Sequence, residues 1–151
     1  MKRIFAVLLW VFVVANVVAQ QYAVVDGLRY SIAGNTASVV QGEEEGNYAG
    51  NITIPSKITI EAVDYNVTSI GYSAFKNCTD LTTITIPESV TSIASYAFYN
   101  CSGITYLEIP RNVSEIGDYA FRGCSNLRYA VVPKGVNVIN VGVFQECTNL
   151  N

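Results

Sequence analysis

From Val67 onward the apolar positions of this chain recur at a fixed interval of 23 residues. The first copy runs Val67, Ile70, Ala74, Phe75, Cys78, Leu81, Ile84 and Ile86 before Pro87. The second runs Val90, Ile93, Ala97, Phe98, Cys101, Ile104, Leu107 and Ile109 before Pro110. A third gives Val113, Ile116, Ala120, Phe121, Cys124, Leu127, Ala130 and Val132 before Pro133, and a partial fourth gives Val136, Ile139, Val143, Phe144, Cys147 and Leu150. No insertion breaks the register. A unit this short cannot bury its own apolar face, so the repetition predicts stacked coils sharing one core, a solenoid.

Within a copy, Leu81-x-x-Ile84-x-Ile86 alternates as a strand does, with Ile84 and Ile86 inward and Thr83 and Thr85 outward. The following proline ends ladder pairing. Ile70-Gly71-x-x-Ala74-Phe75-x-x-Cys78 spaces its apolar residues three to five apart, which predicts a short helical turn on the opposite wall. Two columns, Asn77/Asn100/Gly123 and Gly71/Ala94/Gly117/Asn140, predict left-handed or tight backbone at the corners. The expected fold class is therefore an α/β solenoid with one short strand and one short helical turn per repeat.

Upstream the pattern is different. Asp26-Gly27 between Ala23-Val24-Val25 and Leu28–Ile32 predicts a tight hairpin, and Gly34-Asn35 a second turn before Ala37–Val40. Residues 41–50, with Glu43-Glu44-Glu45 between glycines, read as a solvated loop. Ile52-Thr53-Ile54-Pro55 matches the end of a repeat, and the segment around Ile58–Ala62 reads as a further strand. Residues 20–66 are accordingly expected to form a β-rich N-terminal cap, and 67–151 the repeats. Before them, Met1-Lys2-Arg3, the apolar run Ile4–Ala15 and the small residues near Val17-Val18-Ala19 read as a cleaved signal peptide over 1–19. A retained anchor is the rival, but the run is short of the ~20 residues a span needs.

Composition narrows the chemistry. Of 151 residues, 50% are apolar and 14% charged, which suits a packed core. The net charge is −3, or −5 once Lys2 and Arg3 leave, without a basic cluster; this argues against nucleic acid or anionic membrane as partner. The chain has no histidine, so the usual general base, the usual zinc ligand and the Ser-His or Cys-His nucleophile are missing together.

The repeat Val-x-x-Ile-(Gly)-x-x-Ala-Phe-x-x-Cys-x-x-Leu-x-x-Ile-x-Ile-Pro resembles the BspA-like class of leucine-rich repeats from Val67 to the end. Asp26–Tyr30 with Ile52–Ile70 is similar to that family's entry region. Departures are few: Ala130 stands for a larger strand residue, Ala94 and Asn140 for the glycine, and Val143 for the alanine. The resemblance implies right-handed coils and exported or surface-attached proteins, several of them adhesins for matrix proteins or other cells. It implies no catalytic residues.

Four cysteines in an exported chain first suggest disulfides. Their single phase, three residues after each phenylalanine, favours buried thiols instead. Disulfides between neighbouring coils remain the rival, and metal binding the weaker one, since no C-x-x-C pair occurs. The column Phe75, Phe98, Phe121 and Phe144 reads as a core stack. Five sequons, at Asn51, Asn66, Asn77, Asn100 and Asn112, matter only where the source glycosylates exported proteins. Glu88, Glu108, Glu115 and Asp118 share no phase, so no catalytic carboxylate pair is visible. No catalytic, cofactor-binding or metal site is expected.

The expected contact surface is the outward strand face: Thr83, Thr85, Tyr106, Glu108, Arg128, Tyr129 and Val131, with two tyrosines stacked beside Glu108 and Arg128. Ordinary solvent-facing strand residues are the plainer reading. The expected function is non-enzymatic binding of an extracellular protein or carbohydrate. The alternative is a structural spacer that self-associates through its C-terminal edge. The sequence stops at Leu150-Asn151, where the next strand would begin, so a partner covers that edge or the chain is the front part of a longer repeat protein.

Overall fold

The computed structural model describes residues 21–151, so the signal-peptide reading over 1–19 lies outside the described residues. Eleven strands follow one another: β1 Gln21–Val25, β2 Leu28–Ala33, β3 Thr36–Val40, β4 Gly50–Thr53, β5 Lys57–Ile60, β6 Val63–Ile70, β7 Leu81–Thr85, β8 Ser92–Ile93, β9 Tyr106–Glu108, β10 Glu115–Ile116 and β11 Tyr129–Val131. The β1–β2 hairpin turns on Asp26 and Gly27, both at positive φ, as the turn dipeptide predicts. The stretch read as a strand over 58–62 is shorter: β5 ends at Ile60, and Glu61 and Ala62, at φ 49° and 65°, turn the chain into β6.

One seven-stranded sheet runs β1-β2-β3-β6-β8-β10, with β5 antiparallel to the first half of β6. The second half of β6 is parallel to β3 and β8, so the upstream hairpins and the repeats share one ladder. On the other side of the core, β4 pairs with β7 and β9 with β11, both parallel. Between these walls lie Val67, Val90 and Val113, then Ile70, Ile93 and Ile116, all fully buried. The phenylalanines form the expected stack, with centroids 4.9, 5.1 and 5.5 Å apart and planes within 9°.

The short helical turn is not there. No helix occurs among the described residues, and residues 72–77 and their counterparts are consecutive turns. Hydrogen bonding explains why. The N–H groups of Ser73, Phe75 and Asn77 donate outward to the carbonyls of Ser95, Ala97 and Tyr99 in the next coil. The intervening N–H groups of Ala74, Lys76 and Cys78 close four-residue turns onto Gly71, Ser73 and Phe75. A helix would need both sets to point along its axis. Positive φ at Ser73, Tyr96, Tyr119 and Gly142, and at Asn77, Asn100, Gly123 and Glu146, enforces the alternation.

The asparagine–glycine column thus has the left-handed backbone its residues suggested. The Gly71 column is tight rather than left-handed: a β-carbon on Gly117 would lie 2.3 Å from the Ser95 nitrogen. The left-handed corner sits two residues later, where tyrosine accepts the strain. All four cysteines are free thiols. Cys101, Cys124 and Cys147 each donate to the phenylalanine carbonyl of the preceding coil, at 2.9, 3.3 and 3.2 Å. Burial pushes the Cys101 thiol far above its ordinary range, and the adjacent Cys147 thiol together with burial does the same for Cys124.

Candidate functional site: the exposed strand face

Strand alternation places the side chains as the pattern required. Ile84, Leu107 and Ile109 are buried, while Thr83, Thr85, Tyr106, Glu108, Tyr129 and Val131 are exposed on one face, with Arg128 exposed beside them. The ladder fixes their order across the face. Tyr129 is opposite Tyr106 and Val131 opposite Glu108, and Asn51 and Thr53 stand opposite Thr83 and Thr85. Asn51 Oδ1 accepts from both Thr82 and Thr83, at 2.9 and 2.8 Å, which pins the hydroxyl end of the face.

The tyrosines differ from expectation in one respect. Tyr106 and Tyr129 stand in register, 51% and 59% exposed, yet their rings are not among the ring contacts of the described residues. Tyr106 instead turns its hydroxyl toward Glu108 Oε2 at 3.4 Å. The ring-to-ring contacts outside the core lie on another surface: Tyr96 meets Tyr72, Tyr99 and Tyr119 at 5.7, 5.7 and 5.3 Å, and the Arg122 guanidinium lies 5.7 Å from Tyr99 and 5.6 Å from Tyr119. The signal was present as Tyr96 and Tyr119 recurring at one phase. A helical turn at that phase would not align these rings from coil to coil, whereas the consecutive turns do.

No ladder joins β7 to β9, and a depression of about 250 Å³ opens at that seam. Thr83, Thr85, Tyr106, Glu108, Glu88 and Pro110 line it. Glu88 and Glu108, separate in repeat phase, therefore share one lining. Glu88 pairs with Arg111 at 3.5 Å, and both carboxylates stand in open solvent. The arrangement offers a shallow, mixed aromatic and hydrogen-bonding surface. Among the described residues no group of three metal-ligating side chains converges.

The triple glutamate is more engaged than a solvated loop. Glu45 pairs with Lys76 at 3.0 Å and accepts from Asn77 at 2.7 Å, while Glu43 and Glu44 face solvent. Asn77 in turn accepts from Asn100 at 3.0 Å, so two of the sequon asparagines form a ladder.

Known proteins place this geometry. A cell-surface leucine-rich protein of Faecalibacterium prausnitzii superposes with a TM-score of 0.68 at 28% identity, over 86% of this chain and 41% of its own. A leucine-rich repeat protein of Bacteroides ovatus gives 0.50 at 26%, over 84% and 45%. One from Eubacterium ventriosum gives 0.70 at 24%, over 86% and 32%, a likeness of fold. The chain thus spans less than half the length of these solved relatives. No curated protein matches it. The family model for the BspA type leucine rich repeat region matches six copies over residues 50–151, beginning at β4 rather than at Val67. With two thirds of its length matched and a leucine-rich-repeat fold, this chain belongs to the BspA-type leucine-rich repeat family.

Proposed function

We propose that this protein is a non-enzymatic binding protein, exported or held at a cell surface, adhesin-like, which engages an extracellular protein or glycan through its exposed strand face. One observation carries the reading: Tyr106 and Tyr129, large aromatic side chains, stand exposed at matched register beside a hydroxyl- and carboxylate-lined depression. Aromatic side chains held on a rigid ladder supply contact area at low entropic cost, which favours recognition. Two further points support it. One solved relative is itself described as a cell surface protein. The repeat's patterned residues are spent on the core, which leaves the outward positions free to vary with the ligand.

The test is retention of the exported chain on matrix proteins, whole cells and glycan arrays. Tyr106→Ala with Tyr129→Ala should lower the affinity by about tenfold or more, since buried aromatic anchors dominate such interfaces. Absence of any retained partner, or an unchanged affinity in the double variant, overturns the reading. A second reading is favoured by Val138, Ile139 and Val141, all exposed at the C-terminal edge. It has two copies associate there, and light scattering would show association that rises with concentration and needs no ligand.

A further inference from the structure

The outer face of the seven-stranded sheet carries a row of hydroxyl side chains that runs from the upstream hairpins into the repeats. Tyr22 lies opposite Ser31, Ser31 opposite Ser38, Ser38 opposite Ser69, and Ser69 opposite Ser92. Successive members sit on neighbouring strands, about 4.8 Å apart, and the Ser38 and Ser69 hydroxyls bond to each other. Where β1–β3 meet the first coil, this row runs into a depression of about 390 Å³ lined by Tyr22, Arg29, Ser38, Gln41 and Tyr72 among others. Gly71 also lines it. A β-carbon there would lie 2.9 Å from the Val39 carbonyl oxygen, so the close approach of coil to strand leaves the lining without a side chain at that point.

Charge distinguishes this depression from the strand face. Its one charged lining residue is Arg29, whose guanidinium is held 4.2 Å from the Tyr22 ring centroid. The ion pairs among the described residues use Lys57, Lys76, Arg111 and Arg122, and none involves Arg29. The site therefore presents a preorganised cation without a carboxylate, hydroxyl and amide groups beside it, and tyrosine faces around it. A guanidinium fork matches a carboxylate. Ring faces match the C–H face of a pyranose, and hydroxyl and amide groups match its hydroxyls. Tyr72, 68% exposed, then leads to Tyr96 and Tyr119 at 5.7 and 5.3 Å, one ring per coil.

We propose that this depression binds a carboxylate-bearing sugar residue, with the next sugars of the same chain lying along Tyr72, Tyr96 and Tyr119. The site is separate from Tyr106 and Tyr129, and its ligand class is narrower. Arg29 takes the carboxylate, Tyr72 the ring, and Ser38 and Gln41 the hydroxyls.

The experiment displays glucuronate- and sialate-terminated glycans beside the same glycans with the carboxyl reduced to an alcohol, and adds polyglutamate and inorganic phosphate as competitors. The protein should retain at least one acidic glycan about tenfold or more above its neutral twin. Arg29→Gln should erase that preference, and Tyr72→Ala should weaken both members of the pair. Arg29→Lys keeps the charge but loses the fork and most of the stacking, so most of the preference should go while thermal melting stays unchanged. Lys134→Gln, at an exposed lysine of the last copy, should bind as the parent does. The proposal is overturned if no acidic glycan is retained, or if neutral twins bind equally. Equal competition by polyglutamate or phosphate, or full preference in Arg29→Lys and Arg29→Gln, overturns it as well.

Discussion

The two ends of the repeat stack carry similar letters and meet different fates. At the N-terminal end Tyr48 closes the phenylalanine column, its ring 5.1 Å from Phe75 and tilted 51°. The Tyr48 hydroxyl accepts from the Arg29 backbone N–H at 3.0 Å and donates to the Val40 carbonyl at 3.1 Å. Burial accordingly holds that phenol above its ordinary range. Strand β3 continues the ladder against β6, and Glu45 closes over Lys76 and Asn77. At the C-terminal end Ile139 is 54% exposed, although Ile70, Ile93 and Ile116 at the same phase are fully buried. Val138 and Ile139 form no strand where Ser92–Ile93 and Glu115–Ile116 do. A copy's order therefore comes from the neighbour stacked on it, as expected when stability is a sum of interfaces between adjacent units.

Backbone polarity sharpens the contrast. In each earlier coil three alternate N–H groups donate to the following coil, as Tyr119, Phe121 and Gly123 do to Val141, Val143 and Gln145. The corresponding N–H groups of the last copy, on Gly142, Phe144 and Glu146, make no such bond among the described residues. Two such edges brought tail to tail would set donors against donors, so association of two copies there would rest on the exposed side chains of Val138, Ile139 and Val141 and not on backbone pairing. An edge of this polarity is complemented by carbonyls spaced as those of a following coil.

The largest expected effect comes from the aromatic column. Phe98 is sandwiched between Phe75 and Phe121, and Phe98→Ala should cost about 3–5 kcal/mol, as full burial of the ring implies. Phe144 has a ring on one side and is half-buried, so Phe144→Ala should cost less than half as much. Urea titrations of the two variants measure this directly, and equal losses would break the comparison of the ends. Next comes Tyr48→Phe, which keeps the ring and removes the hydroxyl that accepts one backbone bond and makes another. It should cost about 1–3 kcal/mol through the unpaired Arg29 N–H and Val40 carbonyl, read as a lowered urea midpoint.

Alkaline pH probes the interior. Burial raises the thiols of Cys78 and Cys101 above the ordinary value of 9.0, so above that pH the unfolded chain releases protons that the folded chain keeps. The native state then binds more protons, and stability falls as pH rises. The contribution is fully present below about pH 9 and declines above it by at most ~1.4 kcal/mol per pH unit for each such thiol. A urea midpoint flat from neutral pH to that point and falling beyond it is expected. Alanine at Cys101, measured against the parent, should make the decline shallower.

Much of this was legible in the letters. The 23-residue period gave the stacking, and alternation at Ile84 and Leu107 gave the outward positions of Thr83, Tyr106 and Glu108. The helical turn was misread for a physical reason. Apolar spacing at Ile70, Ala74 and Cys78 reports which side chains face the core, and it does not report where the N–H groups between them point. Tyr96 and Tyr119 in the left-handed region were equally hidden, because tyrosine carries no preference for it. The Arg29 depression was out of reach. It arises where β3 meets the first coil, and that pairing joins segments 30 residues apart with a shift in register.

The smallest expected effect is the most discriminating one. Ile139→Thr changes a side chain that already stands half in water, so it should move stability by no more than about 0.5 kcal/mol. Ile116→Thr, one coil earlier and fully buried, loses apolar burial and must satisfy a hydroxyl in the core, a cost of several kcal/mol. The repeat consensus makes no distinction between these positions. If a copy of residues 129–135, which completes the last repeat, followed by a further 23-residue coil copied from residues 113–135, is fused after Asn151, the cost of Ile139→Thr should climb toward that of Ile116→Thr. The amides of Gly142, Phe144 and Glu146 should then become as protected from hydrogen exchange as those of Tyr119, Phe121 and Gly123. Unchanged exchange in the fusion, with Ile139→Thr still neutral, would mean that the last copy's exposure is set by its own residues and not by what is stacked on it.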